Sequence, residues 1–211
     1  MNRDREIKMT EEFVRRNMEG HDSGHDWSHV DRVRNLALII NREEPCADPF
    51  ILEIAALLHD SADSKFAGGK IEDGYAKIEE FIDAAGMDEI KEQVMNVVKN
   101  VSFSKKDPSG NLNDPVLLIV QDADRLDAIG AIGVSRAFNY GGFMNNAIYT
   151  PEDNTNPLSQ STIKHFYDKL LKLKDMMNTP TGLKIAEERH LFMEIFLEQF
   201  RKEWDFDYNQ Q

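Results

Sequence analysis

The stretch FILEIAALLHD, residues 50–60, decides how this chain folds. Its apolar run is too short to cross a bilayer and continuous enough for a buried helix. Asp48 and Pro49 precede it, and an acidic cap followed by proline at the first helical position is typical of a helix start. The run ends on His59 and Asp60. Burying an imidazole and a carboxylate there requires compensation, and a cation supplies it.

Helical periodicity extends from that stretch over most of the chain. In residues 27–43, apolar side chains recur at the spacing of a helix face, and Asp26 stands ahead of them as a cap. We find no alternation of the kind that a half-buried strand requires. We therefore predict an all-α fold. The expected helices cover residues 4–18, 27–43, 50–59, 71–85, 88–103, 114–128, 130–138, 159–177 and 180–204.

The composition is that of a soluble protein of ordinary domain size. The chain has 211 residues, of which 41% are hydrophobic and 30% are charged, and this suits a single domain. The N-terminal residues lack the apolar core of a secretory signal. Cys46 is the sole cysteine, so no internal disulfide is available. We expect a cytoplasmic protein with no membrane partner.

The net charge of −13 restricts the partners that the chain can bind. A surface of that balance repels polyanions, so we expect no nucleic acid polymer as a partner. Small phosphorylated molecules remain compatible with it, because a local cation outweighs a distant field. The sequence leaves open whether the protein forms a homodimer.

A second group of acids follows another apolar run. Residues 116–120 read VLLIV, and Asp122, Asp124 and Asp127 come directly after them. Asp124 and Asp127 share a helix face because they are three residues apart, whereas Asp122 lies off that face. With His29 inside the helix that begins after Asp26, the chain offers imidazoles and carboxylates beside three apolar helical segments.

Each of these residues taken alone is more often a helix cap or a satisfied core group. Taken together, His29, His59, Asp60 and Asp124 are a set able to hold one divalent cation. A metal held in this way generates hydroxide at neutral pH and binds phosphate oxygen. The set therefore favours hydrolysis of a phosphate ester or anhydride.

Three motifs resemble the HD-domain superfamily of metal-dependent phosphohydrolases. They are GHDWSH at residues 24–29, LLHDSADSK at 57–65 and QDADRLDAIG at 121–130. The sequences of these motifs are similar to those of small bacterial HD proteins that include nucleotide pyrophosphohydrolases. The C-terminal segment at residues 180–204, which contains EERH, resembles the same subgroup. The resemblance implies one HD-type helical bundle over residues 1–211. Its metal-binding core would cover about 20–140, and a C-terminal pair of long helices about 158–205.

By this resemblance, His29, His59, Asp60 and Asp124 are the metal ligands. Two-metal members of the superfamily carry extra histidines between the His-Asp pair and the last Asp, and this chain has none between Asp60 and Asp124. We therefore expect one divalent metal ion. Two nitrogen and two oxygen donors accept Mn²⁺, Co²⁺, Ni²⁺ or Zn²⁺. Mn²⁺ is favoured by resemblance, and Mg²⁺ usually prefers an all-oxygen shell.

Other residues near these motifs are candidates for the rest of the site. Related nucleotidases carry an acid at the position of Asp63, which would orient the attacking water or act as a base. Lys65 and Lys70 flank a Gly-Gly pair and would meet phosphate oxygens. His25 and Asp127 would support the ligands from outside the metal shell. For each of these residues, the alternative is an ordinary solvated position in a loop or on a helix.

Two cations in the C-terminal part are candidates for binding substrate phosphates. Lys169 belongs to a local excess of positive charge in an acidic protein, and it shares a helix face with Lys172. Arg189 lies on the last helix. For both residues, a solvated face or a surface salt bridge is the alternative.

The sequence thus predicts a hydrolase of a small phosphorylated substrate, with a nucleotide most consistent with the resemblance. The subgroup implies cleavage between the α- and β-phosphates of a nucleoside triphosphate, which gives the monophosphate and pyrophosphate. A nucleotide monophosphatase or a phosphodiesterase using the same metal is the alternative within this class. A metal- or ligand-binding module without turnover, and a helical bundle without metal, are alternatives from other classes.

Overall fold

A computed structural model describes residues 2–18, 26–62, 70–102, 107, 110–154 and 160–207. These residues form α-helices joined by turns and short 3₁₀ segments, and none of them belongs to a strand. The prediction of an all-α fold is confirmed. The helices are α1 Arg3–Met18, α2 Trp27–Glu43, α3 Pro49–Leu58, α4 Ile71–Ala84, α5 Lys91–Asn100, α6 Pro115–Asp127, α7 Gly130–Phe143, α8 Thr162–Asp168 and α9 Pro180–Trp204. No helix among the described residues is long and apolar enough to span a membrane.

The chain divides into two compact units, residues 1–124 and 125–211. In the first unit, α3 packs against α1, α2 and α5. The side chains of residues 54–58 are completely buried, which explains why the helix reads as an almost continuous apolar run. The expectation of a single domain stays a prediction.

The helix starts that the sequence predicts around the first unit are confirmed. The side chain of Asp26 accepts a hydrogen bond from the backbone N–H of His29, and that of Asp48 from Phe50. Each cap satisfies one of the donors that a helix N-terminus leaves without an intrahelical partner. Because α2 and α3 begin at fixed residues, the positions of side chains along them are fixed as well.

Arg34 connects three helices of the first unit. Its Nε donates a hydrogen bond to one carboxylate oxygen of Glu53 on α3, and Nη2 lies 2.6 Å from the same oxygen. Its Nη1 donates a hydrogen bond of 2.6 Å to Glu11 on α1. Burial opposes the charged form, but the two carboxylates raise the pKa of Arg34 above its usual value. The guanidinium can serve both acids at once because it is planar and carries five donors.

In the second unit, α9 packs against α7 and against a 3₁₀ segment, Leu170–Met176. Aromatic rings line this packing: Phe138, Phe166 and Phe196 lie within about 6 Å of one another. Aromatic pairs at such distances stabilise a fold by more than the burial of their apolar surface alone. The long C-terminal helix predicted over residues 180–204 is confirmed at both ends.

Two helix boundaries in the second unit differ from the predicted ones. The predicted helix 159–177 is interrupted at Lys169, whose dihedrals (φ −135°, ψ −59°) leave the helical region. The 3₁₀ segment that follows buries Leu170 and Leu173, and their spacing of three matches its period of three residues per turn. Helix α7 continues past the predicted end to Phe143. Within this extension, Gly141 lies so close to Thr162 that a side chain there would collide with it.

We expect the substitution Arg34→Met to lower the free energy of unfolding by about 1–3 kcal/mol, because two partly buried carboxylates lose their shared partner. Urea denaturation followed by circular dichroism measures the loss. Arg42→Met is the control, since Arg42 is 72% exposed and should change stability by less than about 0.5 kcal/mol. Equal effects of the two substitutions would contradict this role of Arg34.

Candidate metal centre

His29 occupies the third position of α2 and is 1% exposed. The carboxylate of Asp26 accepts a hydrogen bond of 2.9 Å from its backbone N–H. The neighbouring Trp27 is held from α1, where the guanidinium of Arg15 lies 3.6 Å from the centre of the indole ring. A cap and a cation–π contact therefore fix the start of this helix, and with it the depth at which the imidazole is buried.

His59 follows α3 directly and is 3% exposed. Its Nδ1 lies 2.7 Å from the carbonyl oxygen of Ala56. A carbonyl oxygen only accepts, so Nδ1 donates to it, and in the neutral imidazole Nε2 then carries the lone pair. Nε2 is buried and has no hydrogen-bond partner among the described residues. The imidazole thus presents the one nitrogen that binds a metal, held by the backbone bond that metal-ligating histidines commonly make with their other nitrogen.

Two carboxylates approach His29 at the same place. Oδ1 of Asp124, on α6, lies 3.6 Å from its Nε2, and Oδ2 of Asp60 lies 3.8 Å from it. The rings of His29 and His59 meet edge to face, with centroids 5.4 Å apart. One ligand atom from each of His29, His59 and Asp124 lies within 4.8 Å of the others.

These residues fit one divalent ion. Donors about 2.0–2.2 Å from a common centre are separated by at most about 4.4 Å, so shifts of a few tenths of an ångström bring this cluster into range. Two carboxylates beside neutral imidazoles also concentrate negative charge that a divalent cation balances. The buried Nε2 of His59 gains a partner in the same step, which removes the cost of leaving it unsatisfied.

The remaining residues predicted near the first motifs are only partly described. Asp63, Lys65 and His25 lie outside the described residues. Lys70 is exposed and precedes α4, where its backbone N–H donates to the side chain of Asp73. The proposed contact between Lys70 and a phosphate therefore stays a prediction.

The C-terminal candidates occupy two different environments in the second unit. Lys169 is exposed at the break between α8 and the 3₁₀ segment. Desolvation, together with the charge of Lys169, lowers the pKa of His165. Arg189 is half-buried, and its guanidinium donates a hydrogen bond of 2.6 Å to the carbonyl oxygen of Leu126. Arg189 therefore adds a second hydrogen bond to a carbonyl at the end of α6 that also accepts one from the backbone N–H of Ile129.

Asp127 is 1% exposed and forms an ion pair with Arg136 of α7. Its predicted support of the metal ligands is not tested by this contact. Arg136 and Arg189 both hold the last turn of α6. The sequence analysis did not foresee either contact, because their partners lie nine and sixty-three residues away along the chain.

Two polar residues beside the ligands were not singled out as site residues by the sequence analysis. The side chain of Asp122, two residues before Asp124, is completely buried. Ser61 follows Asp60 and is 7% exposed, and within the described part of the chain its hydroxyl oxygen has no hydrogen-bond partner. Both residues lie beside an apolar run in the sequence, and this position could have identified them. A polar side chain placed there has little access to solvent and needs a partner inside the protein.

The structure is an all-α protein in which His29, His59 and Asp124 come together at helix ends, and known proteins are similar to the chain. A family model described as "HD domain" matches residues 26–129. YpgQ of Bacillus subtilis (strain 168) is 40% identical over 209 residues, which cover 94% of this chain and 95% of YpgQ.

Solved structures of related proteins are also similar to this chain. The crystal structure of YpgQ in complex with ADP matches with a TM-score of 0.78 and 34% identity, over 96% of this chain and 97% of that chain. A Bacillus thuringiensis structure described as an HD-superfamily hydrolase matches with a TM-score of 0.79 and 40% identity, over 97% and 99%. The chain belongs to the HD-domain superfamily.

We expect Mn²⁺ to stabilise the protein through these ligands. At a hundredfold excess of free ion over Kd, the free energy of unfolding should rise by about 2.7 kcal/mol, because the unfolded chain has no assembled site. Thermal denaturation of chelator-treated protein with and without MnCl2 measures this shift. His59→Ala should abolish most of it, whereas His190→Ala, on α9 beside Glu194, should preserve it. A shift that survives His59→Ala would contradict the assignment.

Proposed function

We propose that this protein is a metal-dependent phosphohydrolase of small nucleotides. The observation that carries the proposal is the convergence of His29, His59 and Asp124, with the buried Nε2 of His59 available to a metal. The family model and the similarity to an HD-superfamily hydrolase support hydrolysis as the class of reaction. The ADP in the YpgQ crystal structure supports a nucleotide as the ligand class.

Mn²⁺ is the proposed ion, because two imidazoles and two carboxylates form a donor set of intermediate softness. A divalent ion bound there supplies a Lewis acid for the phosphoryl oxygens and a hydroxide nucleophile at neutral pH. His29 and His59 hold it from the buried side, where their rings are fixed. Asp60 and Asp124 balance its charge.

Solvent access differs between the two kinds of ligand. The side chains of Asp60 and Asp124 are 22% and 40% exposed, whereas that of His29 is 1% exposed. A substrate phosphate would therefore approach from the side of the carboxylates. Asp63, three residues after Asp60, would accept a proton from the attacking water or orient it. Lys65, Lys70 and Lys169 would neutralise the charge that develops on the phosphate oxygens.

The bond proposed for cleavage lies between the α- and β-phosphates of a nucleoside triphosphate. Water adds across this anhydride and gives the nucleoside monophosphate and pyrophosphate. The resemblance of the motifs to small bacterial HD proteins, among them nucleotide pyrophosphohydrolases, supports this choice. A nucleotide monophosphatase or phosphodiesterase would use the same ligands on a different bond, and its products would distinguish it.

A panel of nucleoside triphosphates, monophosphates and cyclic dinucleotides, incubated with the protein and MnCl2, tests this proposal. We expect pyrophosphate release from triphosphates. Asp60→Ala should reduce the rate by at least about a thousandfold, because the lost ligand removes several kcal/mol of transition-state stabilisation. Asp205→Ala, at an exposed position after α9, is the control. Metal binding without any product from the panel would favour a module without turnover, and an unchanged rate in Asp60→Ala would refute the ligand assignment.

The two C-terminal cations should respond differently to substitution. Lys169→Met should raise KM for the nucleotide and leave the melting temperature unchanged, since its side chain is exposed. Arg189→Met should lower the melting temperature by several degrees, because the carbonyl of Leu126 loses a charge-assisted hydrogen bond. Steady-state kinetics beside thermal denaturation measures both. A stable Arg189→Met protein with raised KM would instead indicate a direct contact between Arg189 and substrate.

A further inference from the structure

Gly74 brings the backbone of α4 onto the backbone of the turn that follows α3. It begins the buried stripe of α4, which continues with Ile78 and Ile82 at intervals of four. A Cβ atom at Gly74 would lie 2.6 Å from the carbonyl oxygen of Ala62 and 2.8 Å from its Cα. Such distances are below any ordinary contact. The partner atoms are main-chain atoms, so no side-chain rotation relieves the overlap.

Local conformation does not explain a glycine at this position. Gly74 lies inside a helix and has no positive φ, and glycine is less favourable than alanine in a helix interior. The requirement therefore comes from the neighbouring turn. Both elements belong to the first compact unit.

The turn in question carries two of the proposed ligands. His59 and Asp60 immediately precede Ser61 and Ala62, and the whole turn is poorly accessible, with Ala62 only 4% exposed. On the side of α3, the turn is held by the bond from the Ser61 N–H to the carbonyl of Leu58. On the other side, the turn packs against the backbone of α4 at Gly74.

We propose that Gly74 is a positioning residue for the metal centre. The absence of a side chain allows the backbone of α4 to pack directly against the turn, so that the donors of His59 and Asp60 stay within reach of an ion bound by His29. This inference rests on the proposed metal-dependent function. It adds that the affinity for the ion depends on a contact made by a residue that does not itself touch the ion.

The test measures the Kd of chelator-treated protein for MnCl2 by isothermal titration calorimetry. Gly74→Ala should weaken binding about 10- to 100-fold, the range seen when the support of metal ligands is removed. Gly142→Ala is the matched control, because a Cβ atom there meets nothing within 4 Å. It should bind Mn²⁺ as the wild-type protein does.

Ile82→Ala separates positioning from stability. Ile82 lies on the same stripe of α4 and is completely buried, so its truncation should lower the melting temperature without changing the Kd. If Gly74→Ala is only partly folded, the Kd of every variant is measured at low temperature in sucrose, which favours the compact state.

Wild-type affinity in Gly74→Ala would overturn the inference. So would an equal loss of affinity in Ile82→Ala, or a Gly74→Ala protein that stays unfolded in sucrose while Ile82→Ala folds, since the contact would then serve the whole fold. A wild-type protein that binds no Mn²⁺ would refute the proposed function itself, which is a different result from a selective effect of Gly74.

Discussion

One buried nitrogen determines how a metal ion would be held in this protein. The Nδ1 of His59 is committed to the carbonyl of Ala56, so its Nε2 carries a lone pair in a place that water does not reach. An unsatisfied buried acceptor costs free energy unless a partner arrives. The side chains of His29, Asp60 and Asp124 lie close by, and a divalent cation would serve as a partner for all of these groups at once.

Helix ends, more than loops, bring these donors together. Asp26 fixes the start of α2 and hence the place of His29, while the buried run of α3 delivers His59 and Asp60 as the helix ends. Asp124 comes from the last turn of α6, and the carbonyls of Leu126 and Asp127 accept hydrogen bonds from Arg189 and Arg136. Side chains held at helix termini have few alternative positions, and this favours a site formed before any ligand binds.

The sequence predicted those features that depend on short spacing. Periodicity and caps located the starts of α2, α3 and α9. Two apolar runs followed by His59-Asp60 and Asp124, with His29 in the helix after Asp26, led to the predicted ligand set, of which the structure brings His29, His59 and Asp124 together. Contacts between distant residues were not predictable in this way. The close approach of Gly141 to Thr162 and the hydrogen bond from Arg189 to Leu126 both join residues that are far apart in the sequence. The interruption at Lys169 likewise reflects how Leu170 and Leu173 pack, since nothing in the local residues forbids a continuous helix.

The most direct measurement is anomalous scattering from crystals grown with MnCl2. The account predicts one strong manganese peak at coordination distance from Nε2 of His29, Nε2 of His59 and carboxylate oxygens of Asp60 and Asp124, with the bond from His59 to Ala56 retained. A manganese peak elsewhere, or an ordered His59 ring turned so that Nε2 bonds to the protein while no ion is present, would contradict it.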